Sequence, residues 1–369
     1  MAATSDTVEG YEGEEGALAL WLENNNNSAV TVTKTGTWDF SKHHFMFSMF
    51  AQDWDDISTT GLKLILTDSA AVEATATLSF MEDGKGWQKI TVARNIFTNA
   101  STLNWAAITQ VQISITPTAG QTFYAALDNF VAYETFPIPF LTINTNDSSP
   151  SDWNVVSPTL DKYGYRGTFA NITDTLDTSG YVPNGQLKQL YNKGYDIVAH
   201  GAVTPHPTYQ TLSAEQIRED LLRSQRALQW LGFGRSARFL DWPSDYGVNV
   251  TFAAKSEASK VFNMAVGADT GFGLNPLPYG DIYAFKRGDI WTAAHAIDGE
   301  DVATVGSLLY GKKQIDDLVT YNGWSILYGH GLGSNDDAGR NYSGYYNTCA
   351  TCCSSATYDR RGACLAAGE

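Results

Sequence analysis

Between residues 30 and 115 apolar and polar positions largely alternate: Val30-Thr31-Val32-Thr33, Leu62-Lys63-Leu64-Ile65-Leu66, Ala76-Thr77-Leu78-Ser79-Phe80 and Gln110-Val111-Gln112-Ile113-Ser114-Ile115. Successive side chains of a strand point to opposite faces, so the pattern predicts strands with one buried face, and the Gly and Asn/Asp clusters between them predict turns. No long helical period interrupts them before Thr135. Residues 17–135 are therefore expected to form an antiparallel β-sandwich of jelly-roll type, carbohydrate-binding-like, behind a tail over residues 1–16. Trp38, Trp54, Trp87 and Trp105 are spread through it. Aromatic faces serve sugar-binding surfaces and β cores alike, and the core is the expected place for most of them.

The rhythm changes at Phe136-Pro137-Ile138-Pro139, where two prolines stiffen the junction. Short apolar runs then alternate with helix-length segments: residues 140–143, 166–170, 195–199, 237–241, 262–266 and 324–328. One of those segments carries its own punctuation. Ser213 with Gln216 forms a capping box, Leu212 with Ile217 a hydrophobic staple, and Ile217, Leu221, Leu228 and Leu231 follow at helical spacing up to the stop at Gly232. The βα alternation predicts a distorted (β/α) barrel over residues 136–345, in which the C-terminal ends of the parallel strands converge on one face. The loop-like tail 346–369 holds all four cysteines, Cys349, Cys352, Cys353 and Cys364. Four thiols suffice for a small zinc site or for disulfides, and a tail with no defined role is equally open.

Composition narrows the partners. With 369 residues, 43% hydrophobic and 17% charged, the chain is globular and long enough for two domains. A formal net charge of -16 and a pI of about 4.7 argue against nucleic acid or an anionic membrane, which demand clustered Lys and Arg. A neutral or amine-bearing substrate fits better. No apolar run approaches the roughly 20 residues of a membrane span, and the first residues lack the pattern of a signal peptide. Export, if it occurs, is expected to use another route or a removed segment.

Three strand ends carry metal-ligand chemistry: Asn146-Asp147, His200 with His206, and His330. Residues 141–147, Gly167-Thr168-Phe169, residues 194–200, His206-Pro207 with Leu212-Ser213 downstream, and Leu327-Tyr328-Gly329-His330 resemble, in order, the motifs of polysaccharide deacetylases, carbohydrate esterase family 4. The resemblance covers roughly residues 138–332. More loosely, the preceding segment resembles jelly-roll modules of phage tail and secreted bacterial proteins. The family likeness implies one divalent metal ion, usually zinc, held by Asp147, His200 and His206, with His330 as the acid that protonates the departing amine. It also implies metal-dependent removal of N- or O-acetyl groups from a surface polysaccharide, outside a cell, at its surface or on a virion.

Three departures qualify that expectation. Asn146 stands where the family has its base aspartate, and a neutral amide cannot take the proton an attacking water must lose. His200 and His206 are six apart, two more than the family spacing. The third motif keeps only its proline and turn, in Asp241-Trp242-Pro243-Ser244-Asp245-Tyr246-Gly247. Asp241, at a strand end, is a candidate replacement base, or else it pins the turn. Trp242 and Tyr246 are candidates for a sugar subsite by stacking, against simple packing. The alternative reading is a non-catalytic carbohydrate-binding protein or adhesin with a degenerate barrel.

Overall fold

A computed structural model describes residues 4–7, 18–24, 28–81, 84–244, 249–267, 274–289, 302–330, 357–358 and 364–365. The N-terminal part contains β1 (Thr4–Thr7), β2 (Leu18–Asn24), β3 (Val30–Trp38), β4 (His43–Ala51), β5 (Ile57–Asp68), β6 (Glu73–Thr77), β7 (Gly86–Val92), β8 (Ile108–Pro117) and β9 (Phe123–Glu134). They form two antiparallel sheets, ordered β1-β2-β9-β4-β7 and β3-β8-β5-β6. Phe45, Phe47 and Met49 of β4 share one core cluster with Leu62, Leu64 and Leu66 of β5 and Ile113 and Ile115 of β8. Trp54 and Trp105 are buried in that core, while Trp38 and Trp87 are half-buried. The segment expected as a tail contributes β1, whose backbone pairs with β2.

The second part alternates strands and helices: β10 (Phe140–Asn146), α1 (Ser157–Lys162), β11 (Thr168–Asn171), α2 (Asn184–Asn192), β12 (Asp196–Ala199), α3 (Ala214–Trp230), β13 (Phe239–Asp241), α4 (Phe252–Val261) and β14 (Met264–Val266). There follow β15 (Leu274–Asn275), β16 (Gly288–Asp289), α5 (Val302–Tyr321) and β17 (Trp324–His330). The predicted cap of α3 is present in full, with Ser213 Oγ accepting from Gln216 N and the Gln216 side chain returning to Ser213 N. Such a cap contributes about 1 kcal/mol. The sheet order is β14-β13-β12-β11-β10-β17-β15, with β16 also on β17. All pairs are parallel except β15 with β17. The expected distorted (β/α) barrel is present as a curled sheet: among the described residues the antiparallel β15 pairs only two residues with β17, and the hydrogen-bonded path ends there. Among the described residues the isolated bridge of Val266 with Phe285 and the bond from Ala265 N to the Ile282 carbonyl tie β14 to the segment before β16.

The two parts meet through the outer face of the first sheet. Gly280 N donates to Thr91 Oγ1 at 3.1 Å, Asn95 Nδ2 to Asp317 Oδ2 at 3.0 Å, and Phe252 packs against the sandwich core. His44 lies at this junction, 1% exposed, with Nε2 3.1 Å from the Tyr321 carbonyl and Nδ1 accepting from Arg94 N at 3.1 Å. Only a neutral ring protonated at Nε2 satisfies both partners. Burial accordingly pushes its pKa from 6.5 down to about 4. Because the folded pKa lies below the unfolded one, the native state is undisturbed above about pH 6.5 and loses stability as pH falls from there towards 4. The loss from this group is expected to reach about 3 kcal/mol. Denaturation midpoints measured across pH 7 to 4 should fall less steeply for His44→Gln, which keeps a donor and an acceptor; parallel slopes would refute the assignment.

Candidate metal centre

β10 ends at Asn146, on the C-terminal rim of the sheet, and the chain then turns through two left-handed residues, Asp147 (φ 69) and Ser148 (φ 54). Aspartate tolerates that region better than most residues. The turn is held from outside: Ser148 Oγ accepts from Ile172 N at 3.1 Å and its carbonyl from Val182 N at 2.9 Å. Asp147 Oδ1 thus comes 3.5 Å from His200 Nε2 and 3.4 Å from His206 Nε2. One ligand atom from each residue lies within 4.8 Å of the other two. Donors about 2.1 Å from one tetrahedral zinc lie about 3.4 Å apart, so Asp147 already stands at ligand spacing from each histidine.

The ring chemistry agrees. His200 Nδ1 lies 2.8 Å from the backbone oxygen of Asp241, which can only accept, so Nδ1 carries the hydrogen and the Nε2 lone pair faces Asp147. Burial lowers the pKa of His206, partly opposed by its hydrogen bond to Asp147, which favours the neutral, ligating form. The six-residue spacing closes because α3 clamps the loop: Asp220 accepts from Ala202 N at 3.1 Å and from the Tyr209 hydroxyl at 2.5 Å. Gly201 (φ +75) makes room, since a Cβ there would lie 3.2 Å from Asp220 Oδ2. Asp220→Ala is expected to weaken metal binding about 10- to 100-fold, read by calorimetric titration, with α3 intact by circular dichroism. Unchanged affinity would show that the loop holds itself.

Beside the triad is a buried polar cluster. Asp241 pairs with Arg287 through Oδ1 and accepts from Asn144 Nδ2 through Oδ2. Asn146 is fully buried among them. Its amide is oriented by Arg287: the oxygen accepts from Nη1 at 2.6 Å, and the nitrogen donates to Asp241 Oδ2 at 3.2 Å. The nitrogen then lies 3.1 Å from Asn144 Nδ2, whereas the opposite orientation would set it against Arg287 Nη1 at 2.6 Å and give up the bond to Asp241. Gly267 (φ +89) admits the ion pair, as a Cβ there would lie 2.7 Å from Asp241 Oδ1.

Residues 135–259 match the family model described as polysaccharide deacetylase. This segment is a polysaccharide deacetylase domain. Deacetylases of carbohydrate esterase family 4 are metal-dependent, in keeping with the triad. No curated protein matches the chain. Among solved structures it is similar to a Streptococcus pyogenes deacetylase, PplD, in complex with acetate, at 19% identity and TM-score 0.36, covering 40% of this chain and 62% of that one. The chain thus spans less than two thirds of that protein. It is also similar to a family 4 carbohydrate esterase from Streptomyces lividans in complex with acetate, at 13% identity and TM-score 0.35, covering 63% and 98%. A third similar structure is a mutant pseudoenzyme of carbohydrate esterase family 4 with restored enzymatic activity, at 14% identity and TM-score 0.34, covering 61% and 71%.

The sequence-predicted residues divide. Asp147, His200 and His206 come together, and β17 runs in register with β10 so that His330 is paired with Asn146. Trp242 is corrected from sugar subsite to core: it is 0% exposed, with Nε1 donating to the Tyr283 carbonyl at 3.0 Å, so no face is free to stack. Tyr246 lies outside the described residues, as do Cys349, Cys352, Cys353 and the side chain of Cys364. Asp241 faces Arg287, Asn144 and Asn146 rather than a free position. Sequence reading missed Asn144, Asp220 and Arg287. Asp220 had a signal, a carboxylate on the apolar stripe of α3 beside Ile217 and Leu221; Asn144 shares the strand face of Asn146, two residues earlier. Arg287 had none.

Proposed function

We propose that this domain hydrolyses N- or O-acetyl groups of a surface polysaccharide with the help of a divalent metal, zinc by its ligand set, and that the protein works outside a cell or on a virion. The Asp147–His200–His206 triad at the strand ends, with the His200 tautomer already fixed, carries this reading. These three residues would hold the ion, which when bound lowers the pKa of water and polarises an acyl carbonyl. Asn146, fully buried with its amide engaged by Arg287 and Asp241, stands at the family's base position without a group that could take a proton from water. His330 protonates the departing amine or alcohol. Asp241 neutralises Arg287 and, through its backbone oxygen, aims His200.

Asn146 itself favours a second reading, a carbohydrate-binding protein that keeps the centre and lacks turnover. Metal content and acetate release from acetylated polysaccharides separate the two. One metal per chain with acetate release lost on chelation supports the hydrolase. Metal and saccharide binding with no acetate released supports the binder, and no metal at all removes the basis of both.

A further inference from the structure

The curled sheet runs from β14 at one end to β15 and β16 at the other. Among the described residues, the stretch 276–287 between β15 and β16 draws those ends together. Ala265 N donates to the Ile282 carbonyl at 3.0 Å, Val266 bridges to Phe285, and Trp242 Nε1 donates to the Tyr283 carbonyl at 3.0 Å. The stretch ends in Arg287, 3% exposed, whose guanidinium pairs with Asp241 and holds the Asn146 oxygen beside the metal triad. Where the stretch lies thus sets where that guanidinium lies.

Its other side rests on the sandwich. Leu277 N donates to Thr135 Oγ1 at 2.7 Å and Gly280 N to Thr91 Oγ1 at 3.1 Å. Gly280 lets the backbone come this close, since a Cβ there would lie 2.7 Å from Lys89 Cγ and 2.8 Å from Thr91 Oγ1. Apolar packing crosses the same boundary. Leu78 and Phe80 belong to the sandwich core, whereas Met81, 1% exposed, belongs to the core of the second part. Gln88 of β7 pins Met81 there, accepting from its N and donating to its carbonyl, both at 2.8 Å. Phe252 packs against both cores, and Ala93 and Ile96 cluster with Leu274, Leu318 and Tyr321. On the outer face of the first sheet His44, Ser48 and Thr91 are all buried. Parts joined by shared apolar core lose the freedom that a small polar interface leaves to linked domains.

We infer that the sandwich is a brace for the candidate metal centre: through Thr91 and Thr135 it holds residues 276–287 against β14 and so positions Arg287, and the two parts unfold as one unit. The brace stands whether or not the centre turns over. Hydrogen exchange of the full chain, read by mass spectrometry, tests it. Leu64→Ala opens a cavity in the sandwich core on the second sheet, and is expected to speed the slowest amides of β11 and β12 as much as those of β5 and β8, about a hundredfold. Should that variant not fold, Ile115→Val makes the same comparison at about fivefold. Thr91→Val combined with Thr135→Val is expected to raise exchange about tenfold at residues 284–287, as well as at the two amides that lose their acceptor. Thr91→Ser with Thr135→Ser, which keeps both hydroxyls, should retain the native protection. Acceleration confined to the sandwich in the core variant, unchanged protection of residues 284–287 in the valine pair, or a serine pair as exposed as the valine pair would each overturn the inference.

Discussion

Asn146→Asp is expected to raise acetate release by about two orders of magnitude over the native chain, the usual worth of a positioned general base. Geometry decides how that gain depends on pH. Arg287 already donates to the position 146 oxygen at 2.6 Å, so a guanidinium awaits the new carboxylate. Yet the other side-chain atom at 146 lies 3.2 Å from Asp241 Oδ2, and Arg287 is shared between the two. Two carboxylates with one counter-charge hold a proton between them, and the second ionisation is pushed up. The base limb of Asn146→Asp is therefore expected above the ordinary carboxylate range. Adding Asp241→Asn removes the competing charge, leaves Arg287 to Asp at 146, and should shift that limb to lower pH by about one unit or more. Stability supplies a second reading. Asp241→Asn alone strands a buried guanidinium, a change that costs about 3 to 5 kcal/mol, whereas the double variant only relocates the negative charge. A pH–rate profile indifferent to Asp241 would end this account of the cluster.

How much of this was legible depended on how far each signal was local. Alternation marked β3, β5 and β8, each with one wet face, and the capping box marked α3 to the residue. β4 was missed because it is covered on both sides: Phe45, Phe47 and Met49 enter the sandwich core while His44 and Ser48 are buried on the other face. A strand buried on both faces loses its period of two. The ligands were legible because motif order is a property of the chain. The Asn144–Asp241–Arg287 cluster was not, since its members come from three strand regions 46 to 143 positions apart and only the folded sheet makes them neighbours. Trp242 was misassigned for a similar reason: its position after a strand end says nothing of the Tyr283 carbonyl that fixes it inside.

The second large effect concerns the triad. A ligand that binds only the folded state stabilises it in proportion to the logarithm of its excess, about 4 kcal/mol at a thousand times its dissociation constant. Zinc in that excess should therefore raise the melting temperature of the native chain by several degrees, and chelation should reverse the rise. Asp147→Asn is the decisive variant. Asp147 Oδ1 is the atom that both imidazoles face, at 3.5 and 3.4 Å, so an amide there removes the only negative charge of the triad while keeping its shape. The zinc-dependent rise is expected to vanish in Asp147→Asn and to persist in Asn146→Asp, which leaves all three ligands in place. Should Asp147→Asn keep the full rise, the ion is held elsewhere, and the cysteine-bearing C-terminal segment becomes the first place to look.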